Sequence, residues 1–212
     1  MHKLVAIVVA AAAVIVAFAS LRALWYHDVQ VSAYPTQGYE NRDETQYSLD
    51  GLYLVRGDGR DFWSFEEGRV FWEPMEPIHS FMERLQILMT VGSVVAGLWA
   101  LFVFFERRFL SVLAGLASAS LFGVSPLIFF LGFGSVYSET DLPGYQPDFT
   151  EFFVNTTEES SYVVRSEVFG PMAGWWLAIA ACGIMAAGMM VMAVIRRSES
   201  RTVRGTRPSR SP

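Results

Sequence analysis

The sequence predicts a membrane all-α fold: a four-helix transmembrane bundle with a small extracellular antiparallel β-sheet, built mostly from the first outer loop. Three observations predict it. Apolar residues make up 52% of the 212-residue chain and concentrate in four blocks, Leu4–Leu24, Leu85–Phe105, Phe109–Phe133 and Met172–Ile195. Each block is long enough to cross a hydrocarbon core as a helix, which takes ~20 apolar residues. The segment after the first block alternates apolar and polar residues with the period of two of a half-buried strand. Basic residues gather on one side of the four blocks and acidic residues on the other.

The first span covers residues 4–25. Its Met1-His2-Lys3 start, apolar run and Ala17-Phe18-Ala19 also fit a signal peptide cleaved after Ala19. The run is long for a signal core and continues to Leu24, which favours a retained helix. The following loop, residues 26–83, is too long and too patterned for a connector. Val29–Tyr34 reads as a strand and Thr36–Thr45 as a polar loop. Tyr47–Arg56 reads as a second strand, with Tyr47, Leu49, Gly51, Tyr53 and Val55 on one face. Gly57-Asp58-Gly59 is a turn signal, with further short strands over Asp61–Phe65 and Arg69–Trp72. Glu73-Pro74-Met75-Glu76-Pro77 closes the loop ahead of the second span, residues 84–105.

A turn at 106–108 leads into the third span, 109–133. Gly92, Ala96 and Ala100 form a small-residue stripe along the second span, and Ser111, Gly115, Ala119 and Gly123 form one along the third. Such stripes let backbones approach where no hydrophobic force separates protein from lipid, and packing within the bundle is their expected role. Pro126 is expected to kink the third span. In the second outer loop, residues 134–170, a polar stretch with Pro143 and Pro147 precedes Tyr162–Arg165, which adds one strand to the sheet. Asn155-Thr156-Thr157 is an N-glycosylation sequon. Pro171 suits the first turn of the fourth span, residues 171–195. Trp25, Tyr26, Phe81, Phe129, Phe130, Phe133, Trp175 and Trp176 read as an aromatic belt at the outer interface. The tail, 196–212, is rich in Arg, Ser and Pro and reads as disordered.

The net charge of −5 conceals a division. Residues 26–83 and 134–170 hold nineteen acidic and five basic residues, whereas the opposite side holds nine basic residues against Glu106 and Glu199. The positive-inside rule then puts both termini in the cytoplasm and both long loops outside, in a multi-pass plasma-membrane protein. The lipid bilayer is one partner, and the protein itself or another membrane protein is the other. Nothing points to nucleic acid.

Reactive chemistry is missing from the sequence. The spans carry no Asp, Glu, Lys or His that would mark a proton or ion pathway. Cys182 is alone, so neither a thiol redox pair nor an intrachain disulfide is available. His2, His27 and His79 lie outside the spans, where they cannot serve as axial haem ligands of a bundle. His27-Asp28 with Glu76 and His79, or Asp50, Asp58 and Asp61, lack the spacing of a metal site. The expectation is a protein that is not an enzyme and takes no cofactor or metal.

Several residues resemble those of the claudin and peripheral-myelin-protein superfamily of four-span proteins. Trp25 stands just after span one, Gly51-Leu52-Tyr53 is similar to that family's Gly-Leu-Trp signature, Arg84 opens the second span, and Gly174-Trp175-Trp176 resembles the start of its fourth. The family's signature continues into two disulfide cysteines. Here Arg56 stands at the first of these positions and no Cys follows it in the loop. The resemblance implies lateral or cell–cell contacts through the extracellular sheet, with Tyr39, Phe62, Trp63, Phe71 and Trp72 as candidate interface anchors. It also implies an alternative, an accessory subunit of a channel, transporter or envelope sensor. Arg56-Gly57-Asp58 matches the integrin-binding tripeptide, a motif too short to carry weight without context.

Overall fold

The structure, a computed structural model, describes residues 2–35, 37–56, 59–64, 76–138, 154–159 and 163–205. Four helices, α1 (His2–Arg22), α2 (Glu76–Phe104), α3 (Arg108–Ser138) and α4 (Ala173–Gly205), form a bundle. All four are long and apolar enough to cross a membrane. Strands β1 (Tyr26–Tyr34), β2 (Tyr39–Tyr47), β3 (Gly51–Arg56) and β4 (Gly59–Ser64) lie between α1 and α2, and β5 (Val154–Glu159) and β6 (Val164–Pro171) between α3 and α4. They pair into one antiparallel sheet in the order β4-β3-β2-β1-β6-β5. The chain is a four-span membrane protein with a small sheet at one end of its bundle.

On α1, size, not polarity, decides which side is buried. On α1 the buried residues are Ala6, Ala10, Ala13, Ala17 and Ser20, while Leu4, Ile7, Val8, Ile15 and Phe18 are exposed. Lipid is as apolar as leucine, so helices associate where small side chains allow close dispersion contact. This alanine stripe seats α1 against α4 and α2, and a Cβ on Gly188 of α4 would collide with Val9. Gly92 of α2 lies against Phe122 of α3, and Gly123 of α3 against Cys182 of α4. A Cβ on Gly115 of α3 would strike Met189 of α4. Ala96 is fully buried. Ser118 Oγ donates to the Gly92 carbonyl at 2.9 Å, which ties α3 to α2 by a hydrogen bond that lipid does not contest.

Tight turns fix the ends. Gly38 supplies the left-handed φ of +62° that closes the β1–β2 hairpin. Between α2 and α3, Glu106 takes φ of 60°, and Arg107 N–H donates to the Phe102 carbonyl at 2.9 Å, the pattern of a Schellman cap. α3 runs unbroken through Pro126. The Pro126 carbonyl accepts from Trp175 Nε1 of α4 at 2.9 Å.

Several elements differ from their sequence reading. Thr36–Thr45 is no loop: most of it is β2, a strand whose exposed outer half has little apolar content to reveal it. The second strand does not run from Tyr47. Ser48–Asp50 is a turn, in which Ser48 N–H donates to the Gly51 carbonyl at 2.8 Å and Ser48 Oγ accepts from Gly51 N–H at 3.0 Å. Tyr47 and Leu52 therefore face each other across β2 and β3, and Tyr53 and Val55 lie on the opposite face. The second loop gives two strands, not one. Pro171 ends β6, so α4 begins after it. α2 begins at Glu76, inside the segment assigned to the first loop. α4 continues to Gly205, into the segment read as disordered tail. Gly57, Asp58, the strand expected at Arg69–Trp72, Pro143, Pro147, Tyr162 and the last seven residues, 206–212, lie outside the described residues.

The sheet is locked to the bundle at one joint. Trp25 is fully buried, and its Nε1 donates to the Ser20 carbonyl at 2.9 Å. Its backbone N–H donates to the Tyr47 carbonyl at 2.7 Å, and its carbonyl accepts from Met172 N–H at 2.8 Å. Gly174 N–H donates to the Leu24 carbonyl at 2.7 Å, and Ser20 Oγ donates to the Gly174 carbonyl at 2.7 Å. Beneath this joint, Tyr26, Tyr47, Phe81, Phe129 and Phe133 form an aromatic core, with Phe129 and Phe133 stacked at 4.6 Å. Most of the supposed belt is therefore the seat of the sheet, because the sheet covers the helix ends where lipid headgroups would otherwise lie. Phe130 and Trp176 are the two large rings of that set left exposed.

Candidate functional site on the sheet

The register sorts the strands into two faces. Pro171, Tyr26, Tyr47, Leu52 and Trp63 lie in one row, since directly paired residues share a face. Tyr26, Tyr47 and Leu52 of that row are buried, and Leu54 of the next row on the same face packs against the core. This face rests on the bundle. Gln86 of α2 fastens it, its Nε2 donating to the Leu49 carbonyl at 3.0 Å and to Asp50 Oδ1 at 2.7 Å.

The opposite face begins with the row His27, Gln46, Tyr53, Phe62, followed by Val29, Glu44, Val55, Arg60. A connected network crosses it. The Tyr53 and Phe62 rings lie 4.8 Å apart, and the Arg60 guanidinium sits 4.0 Å over the Tyr53 ring. Arg60 donates to Gln46 Oε1 at 2.8 Å, and Gln46 Nε2 donates to Glu44 Oε1 at 2.6 Å. Arg42 completes the chain, 3.3 Å from Glu44 Oε2. His27, paired with Gln46, titrates below its ordinary range because burial disfavours its charged form, although the Glu44 carboxylate pulls the other way. The surface joins ring area, a cation and alternating polar groups on a fixed sheet. Such a surface suits protein recognition, since aromatic and arginine side chains supply most interface anchors.

The residues singled out in the sequence scatter over this frame. Trp25 is the joint. Gly51 opens β3 directly after the turn, Leu52 enters the core, and Tyr53 belongs to the network on the other face. Arg84 is exposed on α2. Phe62 is half exposed within the network, while Tyr39 is exposed beside the β1–β2 turn, its ring 6.1 Å from Tyr34. Trp63 lies in β4 in the row of Leu52, which separates it from Phe62. Phe71 and Trp72 lie outside the described residues. Ser111 and Ala119 line a groove at the far end of the bundle. Asn155 lies on the edge strand β5, opposite Val168 of β6. Among the described residues, no three His, Cys, Asp or Glu side chains converge as a metal site would require.

Nothing in the sequence marks Arg60, Gln46 and Glu44 as a group. Their spacing has no local meaning, because they meet only through the register of β2, β3 and β4. The strand edges are also guarded. Among the described residues, β4 and β5 each have one unpaired edge, and both carry charged residues, Arg60 and Asp61 on one and Glu158 and Glu159 on the other. Charged edges resist strand-to-strand addition.

No protein-family model matches the chain, and no curated protein matches it either.

Proposed function

We propose that the protein is a non-enzymatic, claudin-like contact protein of the plasma membrane, whose extracellular sheet mediates lateral or cell–cell association through its network face. The observation that carries this reading is the exposed Phe62–Tyr53–Arg60 cluster, presented on a sheet bolted to four membrane helices. A contact held by a rigid platform loses less conformational entropy than one made by a loop. The charge division supports the orientation, with the acidic sheet side outside and the basic termini in the cytoplasm. The family resemblance rests on Trp25, Gly51-Leu52-Tyr53 and Arg84. In place of that family's disulfide, the β3–β4 hairpin here is held by the Tyr53–Phe62 ring pair and the Arg60 bridge to β2.

Purification in a gentle detergent, followed by mass measurement and mass spectrometry of co-purifying chains, tests the reading. Oligomers of this chain alone are expected, dissociating on Phe62→Glu while Phe130→Leu, on the helix surface, leaves them intact. A stoichiometric foreign partner in place of self-association would replace self-contact with the accessory-subunit reading. Cells displaying the protein are expected to aggregate, and an epitope inserted at Gly38 should be reachable on intact cells.

A further inference from the structure

We propose that the groove between α2, α3 and α4, at the end of the bundle away from the sheet, binds an anionic glycerophospholipid. In this site an acyl chain lies along the groove and the phosphate is held by Arg196. The groove encloses about 520 Å³, within the span of small-molecule sites. Trp99 and Val103 of α2, Leu116 and Ala119 of α3, and Met189 and Met192 of α4 form its apolar walls. Small residues hollow it out, and the methionines supply soft, adaptable surface suited to a flexible chain. The wall residues Val112, Leu116 and Met190 are exposed on the helix surface, so the groove opens sideways into the region a membrane fills.

Among the described residues, the one charged group in the lining is Arg196. Among the described residues its partner is Ser111 Oγ, reached by two long contacts at 3.4 and 3.5 Å. That hydroxyl already donates to the Arg108 carbonyl at 2.8 Å. A half-buried guanidinium beside apolar walls calls for an anion, and its planar fork matches two phosphate oxygens. Among the described side chains, Glu106 at the same end is engaged by Lys3 at 3.2 Å, while Arg107, Arg108 and Arg197 add positive potential. Charge complementarity therefore selects an anionic over a zwitterionic headgroup. An apolar tail beneath the phosphate distinguishes a lipid from a free phosphate.

Native mass spectrometry of the full chain in a neutral maltoside, with added phosphatidylglycerol or phosphatidylcholine, tests the site. One phosphatidylglycerol per chain should be retained in preference to phosphatidylcholine. Arg196→Gln should lower that retention at least about tenfold, the scale of one charge-assisted hydrogen bond. Arg197→Gln should retain the lipid. Arg196→Lys, which keeps the charge but loses the fork, should retain an intermediate amount, and it serves if the glutamine variant does not fold. Ala193→Leu, which fills the groove, should lower retention of both lipids. Equal retention of the two lipids, retention unchanged by Arg196→Gln and Ala193→Leu, or a second copy of this chain covering the groove would each overturn the proposal.

Discussion

Substituting Gly174 with Ala tests whether the sheet and the bundle form one body through the Trp25 joint. A Cβ built at Gly174 would lie 2.5 Å from Cδ1 and 2.8 Å from Nε1 of Trp25, and 2.9 Å from the Leu24 carbonyl oxygen. The indole cannot swing aside, because it is fully buried, bonded to the Ser20 carbonyl and packed 5.3 Å from the Phe129 ring. Nor can the Leu24 carbonyl yield cheaply, since Gly174 N–H is bonded to it. Overpacking of this kind costs about 1–3 kcal/mol, and a displaced indole forfeits about 1 kcal/mol more in its hydrogen bond. Replacing Gly by Ala in a helix returns at most about 1 kcal/mol. The balance is a loss of roughly 1–3 kcal/mol, a fall in melting temperature of roughly 2–12 °C for a chain of this size. Thermal unfolding in detergent, followed by tryptophan emission, measures it. Gly97→Ala and Gly183→Ala are the controls: both would place a Cβ in open space, so both should melt at or above the parent temperature. If Gly174→Ala melts with these controls, the joint is not the rigid coupling described here.

Other perturbations follow from the same geometry. Gly188→Ala should cost more than Gly115→Ala, because the first drives a Cβ into the branched Val9 side chain and the second into the flexible end of Met189; paired thermal melts rank them. Gln86→Leu removes both hydrogen bonds to the Leu49–Asp50 turn, so amide exchange at residues 48–52 should speed up with a stability loss of about 1–2 kcal/mol. Glu106→Gly should raise stability by about 1 kcal/mol, because it relieves a left-handed non-glycine residue. The Lys3 ion pair it gives up is exposed and worth little. For His27, the folded-state pKa lies below 6.5, so the unfolded chain binds the proton more readily. Its contribution to stability is whole above 6.5 and is lost as pH falls through that value toward the folded pKa. His27→Gln should flatten the melting temperature across that window.

The helices were legible because a span announces itself by length and apolarity alone, and the stripes at Gly92 and Gly115 by their spacing. The alanine stripe of α1 follows the same rule but hides in a run where alanine is everywhere, so its face emerges only when Val9 is seen against Gly188. β2 was illegible for a different reason. Its outer half, Tyr39–Arg42, is exposed on both faces, so no apolar alternation marks it and pairing to β1 supplies its structure. The turn at Ser48 was concealed by Leu49, an apolar residue that reads as strand but is buried beside Gln86 of α2. The turn breaks the strand's period of two, so the residues on its two sides do not keep one alternation of faces. Tyr47 and Tyr53, read as neighbours on one face, are a core residue and a surface residue.

That reversal shows what the Gly51-Leu52-Tyr53 stretch does physically. Gly51 closes the turn, where its carbonyl accepts from both the Ser48 N–H and the Ser48 hydroxyl at 2.8 Å. Leu52 points into the joint between sheet and helices, and Tyr53 points the other way, under Arg60. Three consecutive residues thus connect the anchored face to the exposed one. A change on the exposed side should leave the anchor intact: Tyr53→Ser removes the ring beneath Arg60 and beside Phe62, yet touches nothing in the Trp25 joint. Tyr53→Ser should abolish self-association on the mass measurement while lowering the melting temperature by about 2–10 °C, since the ring pair is worth about 0.5–1.5 kcal/mol and the cation–π contact about 0.5–1 kcal/mol. Leu52→Ala should leave self-association in place and lower the melting temperature further, through a cavity worth about 2–5 kcal/mol. If both substitutions impaired association and stability alike, the sheet would not be a platform with separable anchoring and contact faces.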